Sequence, residues 1–516
     1  MTNKVRDLAG HAALLILLLE MWHLTTGVIV SKRLIVALSL SVLVTACGGG
    51  GGGSNLTAPL GGGTAGGGVT DPCGVTAQID FVEEVATDWY YWYDELASVD
   101  PDAYSTAEEY LDAIVEPITS DGTGRDPGFS YLTTITDDEA RFTSGAYYGF
   151  GFRYTLLNDN QDFYFSDTFE GAPAHLAGLR RAQRLLAVDM GSGFESWESL
   201  VARGAPNSEV FGPSDTPVTR IFRVNDAGTE RDIEVTKAEV TTPPLVVNTD
   251  NPSDLSASGA FLIEREGLSP AGYLHFRSFI DAADGPLRDA ARVFAANGVS
   301  DLVIDLRYNG GGLVRVAGTF LNLLGGEVAD GDLSYIMNFN DKRQDRNQSA
   351  NFGPEPETFT PLRIAFITRD GTASASEMLI NGLDPHVEVV MVGEDTYGKA
   401  VGQSAFDLGG GCETRLRLIS FEIQNGEGQG GYYTGLASTG RFDLYSASDD
   451  VTRPFGDPEE ASLKAALGWL NGTLSGKSPS KDENEVGVSR AVAGFEAEWP
   501  VSKRPPLNPD GSVRSF

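Results

Sequence analysis

Basic residues are scarce in this chain: 38 Lys and Arg stand against 72 Asp and Glu, a formal net charge of -34. That deficit disfavours nucleic acid or an anionic lipid surface as a partner and favours solubility, without bearing on fold. Histidine is scarcer still, with five in 516 residues. His11 and His23 fall near the start and His175 in a β-like region, which leaves His275 in the strand-like "YLHFRSF" and His386 in the turn-like "LDPHVE". Neither position stands out as the base a hydroxyl nucleophile needs. The sequence contains no H-E-x-x-H and no Cys/His cluster with zinc spacing, so neither a metal nor a cofactor is expected. Cysteine is limited to Cys47, Cys73 and Cys412.

Near the N-terminus, "SKRLIVALSLSVLVTAC" places Lys32 and Arg33 before an apolar run from Leu34 to Val44 and then small residues up to Cys47. The run of about 11 residues falls short of the ~20 that a spanning helix needs, although a single membrane anchor is the alternative reading. The stretch resembles a bacterial lipoprotein signal peptide, with Val44-Thr45-Ala46-Cys47 as its lipobox. The resemblance implies a leader over 1–46, lipidation of Cys47, and a periplasmic location in the bacterial cell envelope, held to the membrane through the lipid alone. Gly49 is not the aspartate that retains such proteins at an inner membrane, which points to the outer membrane ahead of the inner. A second apolar stretch lies upstream, and translation from Met21 or Val30 would remove most of it. Once Cys47 is lipidated, Cys73 and Cys412 form an even remainder in an oxidising compartment, which suggests a disulfide, with two buried thiols as the alternative.

The length predicts two or three folded units plus linkers. Residues 47–70 are a glycine-rich tether, a composition unable to bury enough surface to offset its ordering entropy. Residues 71–143 predict a small helical domain: apolar residues recur at helical spacing from Ile79 to Leu96, and capping boxes overlap at Ser105/Glu108 and Thr106/Glu109. A β-rich texture follows over 144–242, with "YYGFGFRY" and then "GAPAHLAGLRRAQRLLAVDM". These residues resemble a PDZ domain, which implies that Gly149, Phe150, Gly151 and Phe152 form a loop receiving a peptide's terminal carboxylate. Ala182-Gln183 stand where such domains usually have Gly-Asp, and alanine tolerates positive φ poorly. From 255 to 472 short branched runs, "DLVIDLR", "LRIAFITR" and "VEVVMVG", alternate with helix-length segments, so a largely parallel buried sheet is expected. The final helix is expected to start with Asp457 as N-cap and Pro458 at its first position and to stop before Gly472, with 473–516 a mobile tail. The predicted fold class is thus α/β multidomain.

Within this last region "GTASASE" offers three hydroxyls and an acid, and Ser374 with Glu377 fits a capping box. Lys399 sits in "GEDTYGKAVGQ", directly after a predicted strand. In order, "DLRYNGGG", "TASASE" and "TYGKAVGQ" resemble the C-terminal processing peptidases, or tail-specific proteases, over roughly 145–425. The resemblance implies a crotonase-like α/β core, Ser374 as nucleophile, Lys399 as general base and Gln403 as the residue orienting it. It implies Thr372 and Ser376 as supporting residues, and oxyanion donors at Ala375 and Gly311, with Gly312 second to Gly311. Gly310 replaces the family's usual proline, and Asp305 with Arg307 fits a structural ion pair framing the loop.

A free lysine has a pKa of about 10.4 and a useful base needs roughly 7–8, so Lys399 must be buried among apolar groups, with Glu394 and Asp395 pointing elsewhere. The expected activity is serine endopeptidase cleavage of exported proteins near their free C-termini, through an acyl-enzyme. A catalytically inactive lipid-anchored scaffold that binds C-termini is the rival reading, and an acyl-CoA enzyme of crotonase type is disfavoured by the Ser/Lys pair.

Overall fold

The computed structural model describes residues 56–57, 71–213, 216–247 and 258–474. The leader, Cys47 and nearly all of the glycine-rich tether and the C-terminal tail lie outside them.

The N-terminal segment opens with α1 (Val75–Trp89), α2 (Ala107–Thr119), β1 (Tyr131–Thr134) and α3 (Ile135–Ser144). Helix α1 stops at Trp89, short of the expected Leu96, and Tyr91 N–H instead donates to Ile419 O (3.0 Å). Thr106 caps α2 by accepting from Glu109 N–H (3.1 Å), whereas Glu109 reaches back to Ser105 rather than to the cap itself.

Residues from β2 (Tyr147–Gly149) onward build an antiparallel sheet in the order β3 (Phe152–Leu157), β4 (Asp162–Thr168), β5 (Arg184–Asp189), β6 (Thr219–Asp226), β7 (Thr229–Thr236). β2 pairs with β8 (Ala238–Val240). Aromatic residues dominate the core of this unit, where Phe152, Phe163, Phe165 and Phe222 meet edge to face. Ala182 does adopt φ 77°, so the turn keeps the geometry a glycine would give and bears the strain of a Cβ there.

The remaining chain forms a six-stranded sheet and a second, largely antiparallel one. The first runs β9 (Phe261–Ile263), β10 (Ala271–His275), β11 (Asp301–Asp305), β14 (Arg363–Thr368), β15 (Glu388–Gly393), β18 (Leu444–Ser446), parallel from β10 onward. Every residue of β10 and β11 is buried. The branched runs fit that double-sided burial: α4 (Asp284–Ala296), α5 (Val314–Gly325) and α6 (Ala375–Leu383) cover one face, and α7 (Ala461–Leu470) covers the other. The second sheet is β16 (Val401–Asp407), β17 (Thr414–Asn425), β12 (Leu333–Phe339), β13 (Gln348–Asn351), with β1 added to β17.

Helix α7 corrects one expectation. Its N-cap is Glu460, which accepts from Leu463 N–H at 2.9 Å, while Asp457 pairs with Arg453 in the preceding turn. Gly472, at φ 66°, lies just past the end as expected.

Cys73 and Cys412 are disulfide-bonded, their Cα atoms 5.5 Å apart across 339 positions of sequence. The bridge fastens the start of α1 to the β16–β17 turn, over the same apolar core that α1 and α2 share with β17. Removing a native disulfide typically costs about 2–5 kcal/mol. Thermal melts with and without reductant are therefore expected to differ by several degrees, and identical melts would mean that packing alone holds the segment.

Candidate active site

Three loops leaving the C-terminal ends of the adjacent parallel strands β11, β14 and β15 converge, which is where open α/β sheets bring reactive groups together. The β11 loop carries Tyr308 to Gly312, the β14 loop leads into Ser374 at the start of α6, and the β15 loop delivers Lys399 to β16.

Ser374 has φ 57° and ψ −115°, a backbone region L-residues seldom occupy, costing on the order of 1–3 kcal/mol. Neighbouring bonds fix that turn. Thr372 Oγ1 donates to Leu306 O (3.0 Å), Ala373 N–H to Asn309 O (3.3 Å), and Ser376 Oγ to Asn309 O (3.0 Å). Thr372 and Ser376 thus support the turn by tying it to the β11 loop, and both are fully buried, whereas Ser374 keeps part of its surface open.

Glu377 returns to the turn as a capping box requires, accepting from Ser374 N–H at 2.8 Å. Its carboxylate also accepts from Gly398 N–H and Lys399 N–H, each at 2.8 Å. One buried side chain therefore joins the serine turn to the lysine loop. Burial pushes the Glu377 carboxyl up to about 7, the Thr396 and backbone hydrogen bonds opposing that rise. The sequence displayed the cap and concealed the second partner, because nothing in the spacing ties position 377 to 398 and 399.

Lys399 Nζ donates to Gln403 Oε1 at 3.0 Å, and Gln403 Nε2 donates to Phe129 O. The Phe129 ring centroid lies 4.3 Å from Nζ. Burial brings the Lys399 amine down to about 7; Asp126 and Glu377 oppose that shift and Arg141 and Arg417 add to it. Part of the lysine surface remains accessible, yet the amine is closely enough surrounded for desolvation to dominate. Glu394 turns to Arg369 (2.8 Å), and Asp395 accepts from Ala437 and Ser438 N–H groups (2.8 and 2.9 Å), so neither reaches the amine.

At the oxyanion position the two expected donors differ. Ala375 opens α6, where N–H groups and the helix dipole favour negative charge. Gly311 packs against that turn so closely that a Cβ there would sit 2.7 Å from Ala373 O and 2.9 Å from Ala375 N. Its N–H, however, is donated to Asn309 Oδ1 (2.9 Å). In this conformation Gly311 abuts the serine turn, and its hydrogen is taken. Gly312, at φ 141°, abuts Phe279, whose carbonyl oxygen a Cβ would approach to 2.3 Å.

Asp305 and Arg307 do form the framing ion pair (2.9 Å), and the guanidinium also binds Asp449 (2.8 Å) and Glu460 (2.9 Å). His275 is buried beside Asp305 (3.3 Å) and stacked on Phe455, and His386 faces Asp332 (3.8 Å). Neither histidine is hydrogen-bonded to the serine turn. At the other proposed binding site, Tyr147, Gly149, Phe150, Gly151, Phe152 and Lys237 line a shallow pocket. The Phe150 and Phe152 side chains point into the core of their sheet.

Residues 270–432 match the family described as Peptidase family S41, and residues 77–131 match the Peptidase S41 N-terminal domain. The chain is 25% identical over 323 residues to a carboxyl-terminal-processing protease of Synechocystis sp., a match spanning 62% of this chain and 67% of that protein. It is 26% identical over 292 residues to a chloroplastic C-terminal processing peptidase of Tetradesmus obliquus, covering 55% of this chain and 58% of the relative. Among solved structures, a putative S41 protease of Bacteroides fragilis shares the fold with a TM-score of 0.60 at 24% identity, over 77% of this chain and 98% of that one. The chain thus carries a Peptidase S41 domain over 270–432 and that family's N-terminal domain over 77–131, and it is a serine-type peptidase. Its relatives put it with the carboxyl-terminal-processing members of that family.

Proposed function

We propose that the protein is an endopeptidase that cleaves exported proteins near their C-termini, with Ser374 as nucleophile, Lys399 as general base and Gln403 orienting the lysine. The observation that carries this reading is the 3.0 Å contact between Lys399 Nζ and Gln403 Oε1 around an amine brought down to about 7 by burial. A neutral amide can hold an amine without stabilising its protonated form as a carboxylate would. Glu377 fastens that amine's loop to the serine turn.

In the reaction, Ser374 Oγ attacks the scissile carbonyl carbon while Lys399 takes its proton. The resulting oxyanion lies against Ala375 N–H at the start of α6, and Gly311 joins as second donor when Asn309 releases its N–H. Lys399 passes its proton to the leaving amine, and water attacks the ester to free the product. The sheet over 144–242 acts as a PDZ-like domain, with Gly149 to Phe152 receiving a substrate's terminal carboxylate, and the six-stranded core is crotonase-like. Lipidation at Cys47 anchors the enzyme in the bacterial envelope on the periplasmic side.

The test is covalent labelling with a fluorophosphonate followed by peptide mass mapping. A single adduct on Ser374 is expected. An adduct elsewhere, or none together with no cleavage of unfolded proteins, would favour the scaffold reading instead.

A further inference from the structure

The N-terminal segment is coupled to the chemistry more tightly than a neighbouring domain need be. Strand β16 pairs with β17 through a β-bulge: Gly402 faces Phe421 and Gln403 faces Ile419, leaving Ser420 as the extra residue. At that irregularity Ile419 is satisfied by the N-terminal segment. Its carbonyl accepts from Tyr91 N–H (3.0 Å), and its N–H donates to Ser130 Oγ (3.2 Å). One residue before Ser130, Phe129 meets both side chains of the proposed base pair, its carbonyl on Gln403 Nε2 and its ring over Lys399 Nζ. The contact is built, not incidental. Asp126, wholly buried, accepts from Phe129 N–H (2.6 Å), Ser130 N–H (3.2 Å), Ser130 Oγ (2.8 Å) and Tyr90 Oη (2.8 Å), and the Phe129 ring packs on Tyr397 of the lysine loop at 5.6 Å.

We propose that Phe129 is a positioning residue of the peptidase site, fixing which way the Gln403 amide faces and shielding the Lys399 amine from water. The inference rests on the assignment of Lys399 and Gln403 above. A carbonyl can only accept, so Phe129 O holds the NH2 end of Gln403 and leaves Oε1 for the lysine. That direction matters to a base. With Oε1 towards it, the neutral amine spends an N–H on Gln403 and keeps its lone pair for the Ser374 proton. With the amide reversed, an NH2 hydrogen would occupy the lone pair.

The ring acts on the same atom in two opposed ways. It excludes water, which lowers the amine's proton affinity, and its negative face attracts the ammonium, which raises it. Burial is the largest influence on Lys399, and the Phe129 ring, 4.3 Å from Nζ, is part of the wall that supplies it. The charged groups around the amine are Asp126 from the loop before β1, Glu377 from α6, Arg141 from α3 and Arg417 from β17, and none of them is altered by changing Phe129.

The experiment uses the full chain with its disulfide intact and measures the rate of fluorophosphonate labelling from pH 5 to 10 for wild type, Phe129→Ala and Phe129→Leu. Phe129→Ala is expected to slow labelling at pH 7 about fivefold and to move the acid limb up by about one pH unit. Phe129→Leu keeps the cover and removes the aromatic face, so its limb is expected to stay in place or fall by about 0.5–1 unit. Unshifted limbs in both variants, even with lowered melting temperatures, would reduce Phe129 to packing and overturn the proposal. So would an upward shift in Phe129→Leu, which also decides the matter if the alanine variant does not fold. Absence of labelling at Ser374 in the wild type would remove the functional reading itself, a failure distinct from any behaviour of the variants.

Discussion

Replacing Lys399 with alanine is expected to lower kcat/KM by roughly 10²- to 10⁴-fold, the usual contribution of a positioned general base. The pH profile of the unaltered protein should identify the group. Lys399 must be neutral to accept a proton, so activity should rise with pH through about 7 and level off above it, and this limb should vanish in the variant. A second substitution separates chemistry from folding. The amine is protonated near 10.5 in an unfolded chain and near 7 in the folded one, so between those values the unfolded state holds more protons. The lysine's contribution to stability is accordingly most favourable above pH 10.5 and falls as the pH drops towards 7. Lys399→Met fills a similar volume without this penalty. It is expected to be inactive and to melt at or above the wild-type temperature at pH 7, less a small loss from leaving Gln403 Oε1 without its donor. An active Lys399→Met protein would exclude the lysine as base.

The second large effect is expected at Glu377. Alanine there would leave the N–H groups of Ser374, Gly398 and Lys399 without the acceptor they share, at about 1–3 kcal/mol for each buried donor. Set against total stabilities of about 5–15 kcal/mol, Glu377→Ala should lose much of its folded population and nearly all activity. Glu377→Gln keeps one oxygen and presents an NH2 group to donors, so an intermediate melting temperature and reduced kcat are expected. The wild-type carboxyl is raised from 4.5 to about 7, and in that interval the folded state holds the extra proton. Its charge therefore costs stability progressively as pH rises from 4.5 to 7, the opposite slope to a paired carboxylate. Glu377→Gln should lack this slope. Full activity and an unchanged melt in Glu377→Ala would show that the serine turn holds itself.

How much of this was legible beforehand depended on distance along the chain. The branched, apolar strands announce a buried parallel sheet, while Ser374, Lys399 and Gln403 stand out through the resemblance of their motifs to the C-terminal processing peptidases. Lys399 to Gln403 is a local contact, so its spacing alone carried the geometry. Phe129 gave no signal: it lies in an aromatic-rich segment, and what makes it matter is pairing with strands almost 300 residues later. The same cause moved the start of α7. Asp457-Pro458 is a good local start signal, but Glu460 is held by the Arg307 guanidinium and was better placed to cap the helix. The bond held by Gly311 N–H was not legible either, since Asn309 offers its own side chain to an N–H two residues on, a competition that Asn commonly wins in turns.

Tethering residue 73 to residue 412 also has a bearing on how such an enzyme wears out. Ser374 and Lys399 both sit inside the covalent circle that this link closes. One self-inflicted cut anywhere in that circle opens a loop without shedding a fragment, so a damaged molecule migrates at full size until a reductant is added.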